Sequence, residues 1–279
     1  MSQATALTTA GEIFAANRIA SRIAFAAKSM AGATRRDRLA EEGALRLRCP
    51  GSAARELEAV IVNTGGGMAG GDRFDLDIAA GPQSHLVVTT AAAEKIYRAH
   101  ERGTAGRIRL QLAAGSELAW LPQETIMFDG ARLKRTIDVE MAEDARLLLA
   151  EAVVFGRNGM GEAVVSGSLF DRWRFRRNGA LLYAETVRLD GAIADMLRWP
   201  AVAKGGIAIA TVVVVPADEA LVESIRVLHG QFLGEVGVST WNGFAVVRLV
   251  APDGAALRHD LGSVLTSIRG ENLPRLWLC

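Results

Sequence analysis

The sequence predicts a mainly β fold: an elongated, β-helix-like or layered strand array with a small pair of C-terminal helices. Three observations predict it. From about residue 44 to 215, short runs alternate apolar and polar residues between turn residues, the period-two signature of half-buried strands. A weak repeat of strand, turn and second apolar run recurs along that stretch. Helical periodicity is convincing only near the end of the chain.

Taken in order, FDLDI places Phe74, Leu76 and Ile78 on one face and Asp75 and Asp77 on the other. RIRLQL does the same with Ile108, Leu110 and Leu112. One apolar and one polar face predict strands of antiparallel type. The repeat consists of DLDIAAGPQSHLVV, RLQLAAGSELAWL and DVEMAEDARLLLA, with turns at Gly81, Gly115 and Asp144, 34 and 29 positions apart. Read as stacked hairpins, they predict a solenoid-like array rather than βαβ units; a plain sandwich stays open as well. Asp129-Gly130, flanked by strand-like runs, predicts a further hairpin. Leu221, Ile225, Leu228 and Phe232 form one helical stripe, and Leu257, Leu261, Leu265 and Ile268 form another. They predict helices over about 218 to 232 and 254 to 268, capped by Asp218 and Asp253, with FAVVRLV as a strand between them. No linker divides residues 1–279, so a single domain is expected, with 1–30 a poorly determined N-terminal segment.

Half of the 279 residues are apolar, enough for a sizeable core, and the net charge is +1. That balance gives no grip on nucleic acid and no polybasic membrane patch. Arginine supplies most of the 32 basic residues, scattered as on a solvated surface. The N-terminus is a poor secretory signal, and no run of eighteen apolar residues exists to span a bilayer. Cys49 and Cys279 give no disulfide framework, so a cytoplasmic protein is expected.

The stretch NTGGGMAGGD, Asn63 to Asp72, holds five glycines in ten residues. A phosphate-binding loop feeds a helix, whereas strand-like FDLDI follows here, and no Gly-Lys-Ser/Thr is present. The glycines permit positive φ and close approach by another chain segment, as in a bulged turn or a contact surface. His85, His100, His229 and His259 are isolated, so no preformed zinc or nickel cage can be read; Cys279 could offer an exposed thiol. Glu124 and Asp129 invite comparison with a glycosidase acid pair. Five residues apart on one strand, however, they would face opposite ways and stand roughly 17 Å apart.

The residues resemble the UreD family of urease accessory proteins, called UreH in some organisms, from about Thr34 to Trp277. The specific pieces are GGMAGGD at Gly66 to Asp72, TTAAAEKIYR at Thr89 to Arg98 and WLPQETIMFDGAR at Trp120 to Arg132. EAVVFGRNGMGE, RLDG and the terminal PRLW add support. Asn63-Thr64-Gly65 departs from many relatives, which carry proline or serine before the paired glycines. The resemblance implies a non-enzymatic scaffold with a β-helix-like stack and a pair of helices. It implies binding to apo-urease and to UreF, which recruits the GTPase UreG, and delivery of nickel through a tunnel. No tightly bound cofactor is implied, only transient Ni²⁺. Gly66, Gly67, Gly70, Gly71, Lys95, Tyr97, Arg98, Gln123 and Arg132 are the motif or interface positions. Asp72, Glu94, Glu124 and Asp129 are candidate conduit ligands, because dispersed oxygen ligands release Ni²⁺ more readily than imidazole or thiolate clusters. The rival from another class is a carbohydrate-active β-solenoid enzyme, which would need two carboxylates converging on one cleft. A nickel-storage protein would need a His/Cys cluster that the sequence lacks.

Overall fold

A computed structural model describes residues 18–51, 55–157 and 161–277. Cys279 and the first part of the N-terminal segment, 1–17, lie outside the described residues. The strands are β1 (Ala20–Met30), β2 (Ala33–Glu42), β3 (Leu45–Arg48), β4 (Glu56–Asn63), β5 (Arg73–Ala80), β6 (His85–Thr90), β7 (Glu94–Ile96), β8 (Thr104–Leu112) and β9 (Glu117–Leu121). They continue with β10 (Thr125–Met127), β11 (Arg132–Met141), β12 (Arg146–Phe155), β13 (Gly167–Arg177), β14 (Ala180–Gly191), β15 (Ala208–Val215), β16 (Glu235–Trp241) and β17 (Phe244–Ala251). The helices are α1 (Ile193–Leu197), α2 (Glu219–Arg226) and α3 (Gly254–Arg269). Two sheets face each other. One runs β14-β13-β11-β8-β5-β1-β2, the other β16-β17-β15-β12-β9-β6-β4-β3 with β7 and β10 on a side branch.

The chain climbs as a solenoid: β5 to β6, β8 to β9 and β11 to β12 each cross from the first sheet to the second. Neighbours within a sheet are therefore a full coil apart and run the same way, so β5, β8 and β11 pair in parallel. This corrects the antiparallel expectation for FDLDI and RIRLQL, and the repeated pieces are corners between sheets rather than hairpins. Asp129-Gly130 is likewise a corner: β10 belongs to the second sheet and β11 to the first. Turn residues fix a local change of direction, but coil stacking decides which strands pair. The corners stack through backbone bonds such as Gly81 N to Ala27 O at 2.9 Å and Ala113 N to Ala80 O at 2.9 Å. The buried hydroxyls of Ser84 and Ser116 donate to Gly81 O and Ala113 O, both at 2.7 Å.

Alternation has a simple cause in the first sheet, which buries one face. Phe25, Ile78, Leu110, Val139 and Phe175 stand in register across five strands and fill the space between the sheets. On its outer face Asp75 bridges Arg73 and Arg107, and Asp77 bridges Arg22 and Arg109. The second sheet is covered on both faces, which explains the continuous apolar runs of β12 and β15. Its inner row of Leu57, Leu86, Leu118, Leu147 and Val215 meets the first sheet. Its outer residues, among them Ala150, Val212 and Leu249, pack under Leu257, Leu261 and Leu265 of α3.

Asp218 and Asp253 cap α2 and α3, accepting from Leu221 N at 3.2 Å and Ala256 N at 2.8 Å. Helix α2 stops at Arg226, short of the expected residue 232, and a single 3₁₀ turn follows at His229–Gln231. The buried Asp260 carboxylate accepts from Leu233 N and Gly234 N and holds the chain there for β16. Helix α1 is five residues long, too short to leave a periodic signal. Residues Ala20–Met30 form an eleven-residue strand paired to β2 and β5, so that the last eleven residues of the N-terminal segment are an integral part of the fold.

Candidate functional site

Strand β11 reads RLKRTIDVEM, and its inward phase is Leu133, Arg135, Ile137, Val139 and Met141. The fold thus carries Arg135 into an apolar interior with 6% of its surface exposed, a position tolerable only if the guanidinium is paired. Asp171 lies beside it on β13, and Glu151 reaches it from β12 of the facing sheet. Arg135 Nε donates to Asp171 Oδ1 at 3.1 Å and Nη2 donates to Oδ2, a two-point grip. Its Nη1 donates to Glu151 Oε2 and, at 3.4 Å, to Thr125 Oγ1. Two indoles complete the set: Trp120 Nε1 donates to Glu151 Oε1 at 2.8 Å and Trp173 Nε1 to Asp171 Oδ1 at 2.9 Å.

Strand register extends this cluster toward solvent. Across the second sheet, Glu151 stands opposite Thr211, and Thr211 opposite Arg248. Across the first, Arg135 stands beside Asp171, and Trp173 beside Glu185. The facing rows border a cavity of about 30 Å³, lined by Arg135, Glu151, Asp171, Trp173, Glu185 and Thr211 together with apolar neighbours such as Val153, Leu169 and Val187. That is room for about one water molecule. At the outer end, Glu185 accepts from the Tyr183 hydroxyl on one oxygen and from Arg248 Nη1 at 2.6 Å on the other.

This seam holds three carboxyl groups against two guanidiniums. Burial pushes the Glu151 carboxyl above its ordinary range, with Arg135 pulling the other way. Burial works against the Arg135 charge, but Asp171 and Glu151 more than offset it and hold the guanidinium protonated. Burial, then the bond to Glu185, likewise raises the Tyr183 phenol, which stays a donor. The arrangement is a buried ion-pair network of two carboxyl groups on one guanidinium, bordered by a water-sized cavity and ended by the Glu185–Arg248 pair.

The glycine-rich turn lies against β7 and the side branch. Met68 N donates to Lys95 O at 2.7 Å, Tyr97 N to Met68 O at 2.9 Å, and the Tyr97 hydroxyl to Gly66 O at 2.9 Å. A Cβ on Gly67, whose φ is +146°, would lie 2.5 Å from the Tyr97 ring and 2.9 Å from Lys95 O. A Cβ on Gly70 would meet Arg102 O at 2.5 Å. The glycines thus serve close approach between the motif segments of residues 66–72 and 94–98, which β10 joins by pairing in parallel with β7.

The four carboxylates singled out in the sequence do not converge. Asp72 is buried and accepts from Ile19 N at 2.9 Å and Ala69 N at 2.7 Å, capping the turn and anchoring the start of β1. Asp129 pairs with Arg98 and accepts from Val165 N and Ser166 N. Glu124 pairs with Arg258 at 3.2 Å, and Glu94 accepts from Asn63 Nδ2 at 2.9 Å. These partners, Arg258 and Asn63, lie far away in sequence from the carboxylates they bind. Glu94 N does donate to Glu124 O at 2.9 Å, so those two segments adjoin. Glu124 and Asp129 flank the three-residue β10, each with its own arginine, and share no cleft as a glycosidase pair would. Gln123 ties in the chain end, donating to Leu276 O at 2.9 Å and accepting from Arg258. Gly71 lies against Arg18, and Arg132 stays exposed beside Arg98 in an open groove. Among the described residues no group of three or more His, Cys, Asp or Glu is placed to hold a metal ion.

Sequence reasoning missed Arg135, Glu151, Asp171 and Glu185. A signal existed for three of them. Arg135 and Asp171 occupy the apolar phase of alternating strands, and Glu151 interrupts the otherwise apolar LLLAEAVVF. A charge on a buried phase marks either a paired cluster or a functional site.

The comparisons with known proteins place this geometry. A family model described as UreD urease accessory protein matches residues 20–278. A protein of Rhodopseudomonas palustris strain BisB18 named urease accessory protein UreD is 55% identical over 271 residues, covering 97% of this chain and 98% of its own. A namesake from R. palustris strain CGA009 is 50% identical over 278 residues, covering 100% and 99%. One from Bradyrhizobium diazoefficiens is 51% identical over 272 residues, covering 98% of each chain. The motif segments that pack together around the glycine turn and the strands that carry the seam all fall inside the matched span: this chain belongs to the UreD family of urease accessory proteins.

Proposed function

We propose that the chain is a non-enzymatic scaffold of urease maturation in the cytoplasm, which binds apo-urease and UreF, engages UreG through UreF, and passes nickel toward the urease active site. The observation that carries the delivery role is the polar seam between the sheets, where the carboxyl groups of Glu151, Asp171 and Glu185 border a water-sized cavity. Nickel is cargo here. It must be held weakly enough to leave, which a few dispersed oxygens allow and a thiolate or imidazole cage does not. The scaffold role is supported by family membership and by exposed apolar side chains such as Trp199, Leu181 and Trp241. No helix is long and apolar enough to cross a membrane.

The test replaces carboxyl groups by amides in the complex with UreF, UreG and apo-urease, and measures nickel per urease and urease activity after a fixed time. Glu151→Gln and Asp171→Asn are expected to assemble normally and to slow nickel transfer. The motif set Asp72→Asn, Glu94→Gln, Glu124→Gln and Asp129→Asn, tested in parallel, reports whether a route runs along the motif positions instead. Parent-like nickel transfer in all six variants would overturn the delivery role.

A further inference from the structure

A broad groove of about 770 Å³ lies on the outer face of the first sheet and shares no residue with the seam. Strand register builds it. One row across β2, β1, β5 and β8 reads Ala40, Ala24, Asp77 and Arg109, and the next reads Arg38, Ala26, Ala79 and Gln111. Alanine methyls therefore form the floor, and long side chains stand at its ends on β2 and β8. Where the same rows continue across β11 and β13 they hold Asp138 with Arg174 and Glu140 with Arg176, so the methyl floor ends at β8. The three strand spacings from β2 to β8 amount to roughly 14 Å, the width of one polypeptide segment with its side chains.

The rim is basic. Arg22, Arg38 and Arg109 line the groove with a single carboxylate, Asp77. That carboxylate is already shared: Oδ2 accepts from Arg22 Nε at 3.3 Å and Nη2 at 3.0 Å, and Oδ1 accepts from Arg109 Nε. Arg38, 83% exposed, stands 3.7 Å from Asp37, whose carboxylate Lys28 holds more closely at 2.8 Å. The lining thus carries surplus positive charge on a chain whose total is only +1. Its one ring, Phe25, is 2% exposed and packs between the sheets, so no aromatic surface is offered to a nucleic-acid base. An apolar floor beneath a rim of guanidiniums complements a protein segment that presents carboxylates beside small apolar side chains.

We propose that this groove docks such a carboxylate-bearing segment of a partner protein, with its apolar residues on the alanine floor and its carboxylates on Arg38 and on the donors of Arg22 and Arg109 that Asp77 leaves unused. The docking site deepens the scaffold reading, on which it rests, by giving the chemistry of one contact surface; it involves no nickel.

The experiment uses the full chain with a solubility tag and a fluorescein-labelled peptide of Glu and Ala residues, read by fluorescence anisotropy. The parent is expected to bind the peptide more weakly as salt is raised, and to ignore a peptide of Lys and Ala. The pair Arg38→Glu with Gln111→Glu alters two exposed side chains outside the Asp77 cluster and should weaken binding about tenfold. Ala24→Phe fills the floor without changing charge and should weaken it comparably; if that variant does not fold, Ala40→Phe at an exposed position of β2 is judged in its place. Arg188→Glu, an exposed arginine on β14 outside the groove, should bind as the parent. Parental binding by the floor variant, or an equal loss in Arg188→Glu, shows attraction to diffuse charge and overturns the groove. Tighter binding of an oligothymidylate than of the acidic peptide overturns the choice of a protein segment. The Arg38→Glu, Gln111→Glu chain is then titrated into UreF, UreG and apo-urease, where half-assembly should need about fivefold more of it than of the parent. Unchanged half-assembly overturns the docking role, whereas a parent chain that itself forms no assembly overturns the scaffold reading instead.

Discussion

The side-chain amide of Asn63 donates to Glu94 Oε1 at 2.9 Å, joining the start of the glycine-rich turn to the edge strand β7. The same amide donates to Gly67 O at 3.3 Å, so one side chain ties together three points of the motif surface. Asn63 opens the stretch Asn63-Thr64-Gly65 at which the sequence departs from the family resemblance.

Glu94 sets a pH dependence. Burial pushes its carboxyl up to about 7, against the lowering effect of Asn63. The folded chain therefore holds this proton more tightly than the unfolded chain. Stability from this group is fully present below the ordinary carboxyl value of 4.5 and is lost as pH rises through about 7. Because Glu94 is only half-buried, the loss is put at about 1–2 kcal/mol rather than the full equivalent of the shift. Chemical denaturation at pH 5 and pH 8 is expected to show that decline in the parent and a flatter profile in Glu94→Gln. An unchanged slope in the variant would assign the decline to other groups.

Arg135 separates stability from transport. Arg135→Met leaves Glu151 and Asp171 buried without their cation and is expected to cost about 3–5 kcal/mol. Replacing all three, as Arg135→Met with Glu151→Leu and Asp171→Leu, should recover most of that loss, because a well-packed apolar cluster can substitute for a buried ion triad. Nickel delivery should not recover with it. Denaturation midpoints of a solubility-tagged chain give the first comparison, and nickel content of urease gives the second.

Gly67→Ala probes the close approach of the turn to β7. The new methyl group would press on the Tyr97 ring and Lys95 O at a φ that side chains rarely adopt. A loss of about 2–4 kcal/mol is expected, read as a fall in Tm. Gly66→Ala, where φ is +74° but no atom lies within 4 Å, should cost less. Equal losses would show that backbone strain alone, and not contact with Tyr97, sets the requirement at Gly67.

Solubility is expected to depend on partners. Trp199, Val202, Val227, Leu233, Leu181 and Trp241 are exposed apolar side chains on a chain whose net charge is +1. Expressed alone, the protein should aggregate, and with UreF it should elute as a defined complex on size exclusion. A monodisperse monomer that does not bind UreF would count against the scaffold role.

The sequence by itself determined the strand and helix content, the caps at Asp218 and Asp253, and the family, through motifs such as WLPQETIMFDGAR. These are local properties: alternation, capping and turn chemistry act over a few residues, and a motif is a string. It also excluded a phosphate-binding role for the glycines of 66–71, since strand follows them; the close approach at Gly67 and Gly70 came from the structure. Only the tertiary structure decided that FDLDI and RIRLQL pair in parallel, because strand direction within a sheet depends on coil stacking over about thirty residues. The same holds for the seam. Arg135, Glu151, Asp171 and Glu185 are separated by up to fifty positions, and they meet because the register of two facing sheets aligns their rows. A charge on the buried phase of a strand can be read from one segment, but its partner lies on another coil, where only folding brings the two within hydrogen-bond reach.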